Sequence, residues 1–177
     1  NLGRKIIIGF IACAIVLFGV AIFSFKNTEK FVASNTLVNH SNTVLYEFEQ
    51  ILKYSIDAET GVRGYIITGD AIFLKTFASA NSKLIEKNEK VKKLTKDNST
   101  QQKNIEELTK QIKLRLENLN TGVTYRKINF EKARAFVASR EGKQIQDEIR
   151  KIIEQAQEIE RTLLAQRIQE SQDDASK

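Results

Sequence analysis

The residues best able to do chemistry crowd into one stretch, Asp57 to Asp70, which reads DAETGVRGYIITGD. Glu59 and Arg63 stand four apart, the spacing at which a carboxylate and a guanidinium on one helix face meet as an ion pair. A half-buried carboxylate needs such a partner, because holding an unpaired charge away from water is costly. Gly61 and Gly64 remove two side chains beside that pair, at roughly 1 kcal/mol each in helix propensity against alanine. The gap they leave lets a neighbouring helix or polar network approach closely, and the Tyr65 hydroxyl offers that network an anchor. The other chemistry open to the stretch is recognition, with Arg63 and Tyr65 holding a small anionic ligand. The spacing G-x-x-G-x-x-x-x-G fits neither a phosphate-cradling loop nor a dinucleotide fingerprint. Structural corner and anion site both stay open on these residues alone.

Elsewhere the reactive residue types are sparse. His40 is the one histidine, in the polar run VNHSN, and reads as a solvated surface residue. Cys13 is the one cysteine and lies in an apolar run, where it reads as a small filler. No Ser/His/Asp or Cys/His set and no metal-ligand cluster can be assembled, so no catalytic residue, metal or cofactor is expected. Lys87 and Arg126 fall at helical positions where the period calls for apolar residues. Long basic side chains often snorkel from such places. Arg126 and Lys127 are the second-choice ligand contacts. The net charge of +6 comes from stretches such as KLIEKNEKVKKLTK, Lys83 to Lys96, where lysines alternate with glutamates at helical spacing. That is a solvated helix face, so no nucleic-acid partner is expected.

The elements that must position these residues are helices. The 177 residues contain no Pro, and nothing but Gly and capping residues stops a helix. Ile6 to Phe25 is an uncharged run of 20 residues, long enough to cross the ~30 Å hydrocarbon core. It is longer than a signal-peptide core and lacks a small-x-small cleavage site, so it reads as an uncleaved contact with the lipid bilayer. Basic residues flank it equally on both sides and leave its orientation open. The absence of Met marks Asn1 as an internal start, and the chain as part of something longer.

Beyond the run the apolar period is helical throughout. Leu45, Phe48, Leu52, Ser55, Glu59, Val62 and Ile66 step by 3 and 4 in turn, a coiled-coil-like seam. Gly69 suits a left-handed helix end and Asp70 an N-cap. Ser99-x-x-Gln102 reads as a capping box. In the third segment Ile112, Leu116 and Leu119 imply a stutter, and Asn120-Thr121-Gly122 weakens the helix there. Gly142 closes that segment. The predicted organisation is a membrane anchor over 1–26, with its transmembrane helix at 6–25, and a four-helix domain over 27–177. Its helices cover about 27–67, 71–95, 100–139 with a break near 120–129, and 143–172. The fold class is all-α, an antiparallel four-helix bundle with long first and last helices, preceded by one transmembrane helix.

The block resembles a known family. Val38, His40 and Val44, then Asp57-Ala58-Glu59-Thr60-Gly61, Arg63-Gly64-Tyr65, Thr68-Gly69 and Phe73-Leu74 are similar to the start of the third CHASE family of sensory domains. Looser matches come later at Asp97-Asn98 with Gln101, Asp147 with Ile149-Arg150, and Glu160 with Leu163-Leu164 and Arg167. Val62 stands where a Gln is usual. The resemblance implies an extracytoplasmic input domain, periplasmic or extracellular, held in the cytoplasmic membrane between two spans. It implies a homodimer and a cytoplasmic output module, most readily a histidine kinase, with a second span after Lys177. An unknown small molecule or partner protein would be the signal, passed on by helix displacement. The alternative is a membrane-tethered helical scaffold or adaptor without ligand sensing. Asp57, Glu59, Arg63, Gly64 and Tyr65 form the signature, as a structural network or a ligand site.

Overall fold

Residues 2–175 are described by the structure, a computed structural model, and five helices account for nearly all of them. In order these are α1 (Leu2–Thr68), α2 (Ile72–Leu94), α3 (Ser99–Ile128), α4 (Phe130–Ala138) and α5 (Glu141–Ala175). Asn1 and residues 176–177 lie outside the described residues, and with them the readings of Asn1 as an internal start and of a second span beyond Lys177.

The chain divides into two compact units. The first is Asn1–His40 with Leu163–Lys177. Here residues 6–25 of α1 leave every side chain exposed, in a helix long and apolar enough to cross a membrane. Arg167 Nη1 donates to the Leu37 carbonyl at 3.3 Å. The second unit, Ser41–Thr162, is the antiparallel bundle of α1, α2, α3 and α5, with the short α4 packed on α3.

Two apolar clusters fill this bundle. One joins Val44, Phe48 and Ile51 of α1 to Leu84, Leu108 and Ile153 of the other three helices. The second joins Ala58, Val62 and Ile66 to Phe77, Leu119 and Ala133. Each large side chain taken fully out of water here contributes about 1.5–3 kcal/mol.

The buried faces differ from the expected seams in an instructive way. On α1 the most buried line is Ser41, Val44, Phe48, Ile51, Ser55, Ala58 and Val62, while Leu45, Leu52 and Glu59 sit half-buried beside it. Ser41 and Ala58 hold places that the expected seam passes over, and Ser55 one that it includes; small side chains there let the helices come close. On α3 one buried line runs through Gln101, Ile105, Leu108, Ile112, Arg115, Leu119 and Gly122, with Val123 also buried beside its end. The line steps 4,3,4,3,4,3 without the expected stutter. The repeat holds because Arg115, not Leu116, takes the inward place. Helix α3 also runs unbroken through Asn120-Thr121-Gly122. The break falls at Asn129, whose extended backbone (φ −164°, ψ 163°) ends α3 while its side chain accepts the Lys132 N–H at 2.7 Å.

The helix ends show similar shifts. Gly69 takes the left-handed conformation (φ 75°), and Asp70 Oδ1 accepts the Ile72 N–H at 2.8 Å. The Ser99–Gln102 capping box does not form. Asn98 is the N-cap, accepting the Gln101 N–H at 3.0 Å, and Gln102 instead donates to Lys92 O and Thr95 Oγ1. Gly142 does not close a helix either. Helix α4 ends at Ala138, Arg140 adopts the left-handed turn (φ 63°), and Gly142 lies in the first turn of α5.

Candidate functional site

Between the two apolar clusters lies a polar layer contributed by α1, α3 and α5. Ser55 Oγ donates to Gln146 Oε1 at 2.7 Å, and Arg115 Nε donates to the same oxygen at 3.4 Å. Arg115 Nη1 reaches Asn118 Oδ1 at 3.0 Å, and Arg115 Nη2 pairs with Glu59 Oε2 at 2.8 Å. The other Glu59 oxygen meets Arg63 Nη2 at 2.7 Å. One carboxylate therefore serves two guanidinium groups.

Those groups stand in different surroundings. The Arg115 side chain is 3% exposed, whereas Arg63 is 57% exposed and its charge is screened by water. Burial pushes the Arg115 pKa down, and the charge and hydrogen bond of Glu59 oppose this. The layer has more donors than acceptors. A guanidinium carries five N–H groups, and Arg115 spends three of them. Gln146 Nε2 is buried with no acceptor among the described residues.

Beside this layer opens a cavity of about 160 Å³. Its charged lining is Glu59, Arg63, Arg115, Arg140 and Lys143, and Val62, Ile66, Phe136 and Val137 supply apolar walls. Lys143 pairs with Asp147. Gly142 leaves room for the guanidinium, since a Cβ there would lie 2.5 Å from Arg115 Nη1.

The glycines of the opening stretch let α2 close on α1. A Cβ at Gly61 would sit 2.8 Å from Phe77 N and 2.9 Å from Phe73 O, both rigid backbone atoms. A Cβ at Gly64 would strike the Phe73 ring. Of the residues singled out in sequence, the structure brings together Glu59 and Arg63, with Gly64 one turn on from Gly61. Asp57 instead pairs with Lys53 at 2.9 Å on the surface. Tyr65 is half-buried against the second cluster, and its hydroxyl makes no hydrogen bond among the described residues. Arg126 is an α1 cap, its Nε donating to Ile66 O at 2.7 Å, and Lys127 is exposed apart from the cavity. Lys87 does not snorkel free: it meets the buried Glu47 at 3.2 Å, alongside Lys90 at 2.7 Å. Burial pushes the Glu47 pKa up, but hydrogen bonds and charge from Lys90 and Lys87 outweigh this and hold it below its ordinary 4.5.

Sequence reading missed Arg115, Arg140, Gln146 and Glu47. The signal for Arg115 was present, because continuing the 4,3 alternation from Ile112 lands on it. Nothing local marks Arg140. Among the described residues no cluster of His, Cys, Asp and Glu is arranged for a metal ion.

A family model described as the CHASE3 domain matches residues 34–170. Among solved structures, the sensor domain of histidine kinase HK9 from Rhodopseudomonas palustris aligns with a TM-score of 0.67 at 22% identity, over 71% of this chain and 98% of that one. At that identity the likeness speaks for the fold alone. No curated protein sequence matches the chain.

Proposed function

We infer that this chain, which belongs to the CHASE3 domain family, is the sensory input domain of a membrane-bound receptor, most concretely a histidine kinase, and that it acts as a homodimer. The observation that carries this reading is the family match over 34–170, on a bundle whose first helix also holds the membrane-competent segment. The domain is itself non-catalytic, and output chemistry belongs to a cytoplasmic module beyond this stretch. Residues 1–26 serve as anchor in the cytoplasmic membrane, and residues 27–177 as the sensory domain on its periplasmic or extracellular side.

Signal passage depends on how α1 meets α5. Three polar pairs join them: Ser41 to Glu160 at 2.8 Å, Glu49 to Gln157 at 2.6 Å, and Ser55 to Gln146 at 2.7 Å. Directional bonds of this kind hold one register and can re-form in another, so a slide of α1 on α5 switches between discrete packings. A ligand or partner that favours one packing biases the output.

The coding frame beyond Lys177 tests the reading. A second apolar span leading into a kinase, cyclase or methyl-accepting module is expected. A stop codon directly after the bundle would overturn it in favour of a tethered scaffold.

A further inference from the structure

We propose that the cavity beside the Glu59–Arg115 layer binds a small organic carboxylate with an apolar body. The proposal rests on the sensory reading for its purpose, but not for the binding itself.

The charge balance comes first. With Lys143 held by Asp147, the cavity keeps Arg63, Arg115 and Arg140 around one carboxylate, Glu59. Glu59 is already shared by Arg63 and Arg115. Arg115, being 3% exposed, has little contact with bulk water for its unspent N–H groups. A second carboxylate in the cavity would accept them and offset the uncompensated positive charge.

Arg140 is the second observation. It comes just after the end of α4 at φ 63°, a conformation that glycine adopts freely and arginine does not. Its guanidinium makes no hydrogen bond or ion pair among the described residues, and Arg140, an exposed residue, lines the cavity together with Arg63 of α1 and Arg115 of α3. The left-handed turn ends α4 and brings Arg140 to the cavity rim, where its unpaired cation is available to a ligand.

The walls narrow the class. Val62, Ile66, Phe136 and Val137 suit an apolar body and give an inorganic oxyanion nothing in exchange for its hydration. An amino acid fits badly, since its ammonium group would need Glu59, which both arginines occupy. About 160 Å³ is below the roughly 300–1,000 Å³ of pockets for drug-sized ligands, so the body is short. A carboxylate held by Arg63, Arg115 and Arg140 would tie α1 and α3 to the start of α5, and so bias the α1–α5 register.

The test uses the full chain in detergent micelles, with butanoate and benzoate as probes, their amides as neutral matches, and inorganic phosphate. At least one carboxylate is expected to raise the melting temperature and bind by calorimetry, while its amide does not and phosphate is much weaker. Arg140→Gly separates site from structure. Relief of the left-handed arginine should raise the melting temperature without ligand, while carboxylate affinity falls about tenfold or more. The proposal is overturned if no carboxylate probe shifts the melt, if amide or phosphate shifts it equally, or if Arg140→Gly keeps full affinity. Binding is read here without any output. Failure of binding therefore removes the site and leaves the sensory reading, whereas a stop codon after Lys177 removes that reading and leaves the site.

Discussion

Glu59→Gln and Glu47→Gln remove the same charge from two buried ion pairs, and the structure sets very different costs for them. Each carboxylate serves two cations. The difference lies in where those cations go when the carboxylate is lost. Arg115 is 3% exposed and walled in by Asn118, Gln146 and Gly142, so Glu59→Gln strands its charge in the interior. Removing one partner of a buried pair costs about 3–5 kcal/mol, and the 16% exposure of Glu59 argues for the lower end. Lys87 and Lys90 are 18% and 47% exposed, on flexible stems that can swing their ammonium groups to water. Glu47→Gln should then cost about 1 kcal/mol. At 2–4 °C per kcal/mol for a domain of this size, the expected losses are roughly 6–12 °C for Glu59→Gln and about 2–4 °C for Glu47→Gln. Circular dichroism melts of the full chain in detergent would read both. Equal losses at the two sites would refute the reasoning, because burial of the stranded partner is its whole basis.

Two further outcomes rest on the same packing. Gly61→Ala should destabilise by roughly 1–3 kcal/mol despite its better helix propensity, because the added methyl meets the α2 backbone, whereas Gly64→Ala meets a ring that can turn and should cost less; denaturant melts of the pair check the order. Glu47 has a folded pKa below 4.5, so its contribution is fully present above that value and is lost as pH falls through the lower folded pKa. Lys87 is raised above 10.5, chiefly by its hydrogen bond to Glu47, so its contribution is present below 10.5 and lost as pH rises through the folded value. Stability profiles of the parent and Glu47→Gln should therefore converge at both extremes; a constant difference across the range would contradict the pairing.

How much of this was legible in the residues depended on whether the positions were apolar. The helices, the corner at Gly69 and the close approach at Gly61 and Gly64 come from period and glycine placement, and the structure has all of them. The polar layers were hidden because a hydrophobic repeat is read by skipping polar residues. Arg115 was passed over for Leu116, and an unbroken heptad was read as a stutter. Ser41 and Ala58 were likewise left out of the seam, which took in Ser55 but also the half-buried Leu45 and Leu52. Glu59 with Arg63 could be paired from spacing within one helix, but Arg115, Gln146 and Arg140 come to that pair from three other places in the chain, and no local pattern joins them. The capping box failed by one residue because Asn98 competes with Ser99 for the same N–H groups and is at least as good a cap.

The claim that this bundle signals as a dimer through α1 is tested most directly by cysteine cross-linking in membranes. Single cysteines would be placed from Asn42 to Ile67 in a Cys13→Ser background. In the structure Asn42, Tyr46, Glu49, Lys53, Ile56, Thr60, Arg63 and Ile67 form one exposed stripe stepping 4,3,4,3,4,3,4, opposite the buried Phe48, Ile51 and Ser55. Cross-linked dimers should peak along that stripe and fall away at the buried positions. A flat profile, or no dimer at any position, would contradict the account.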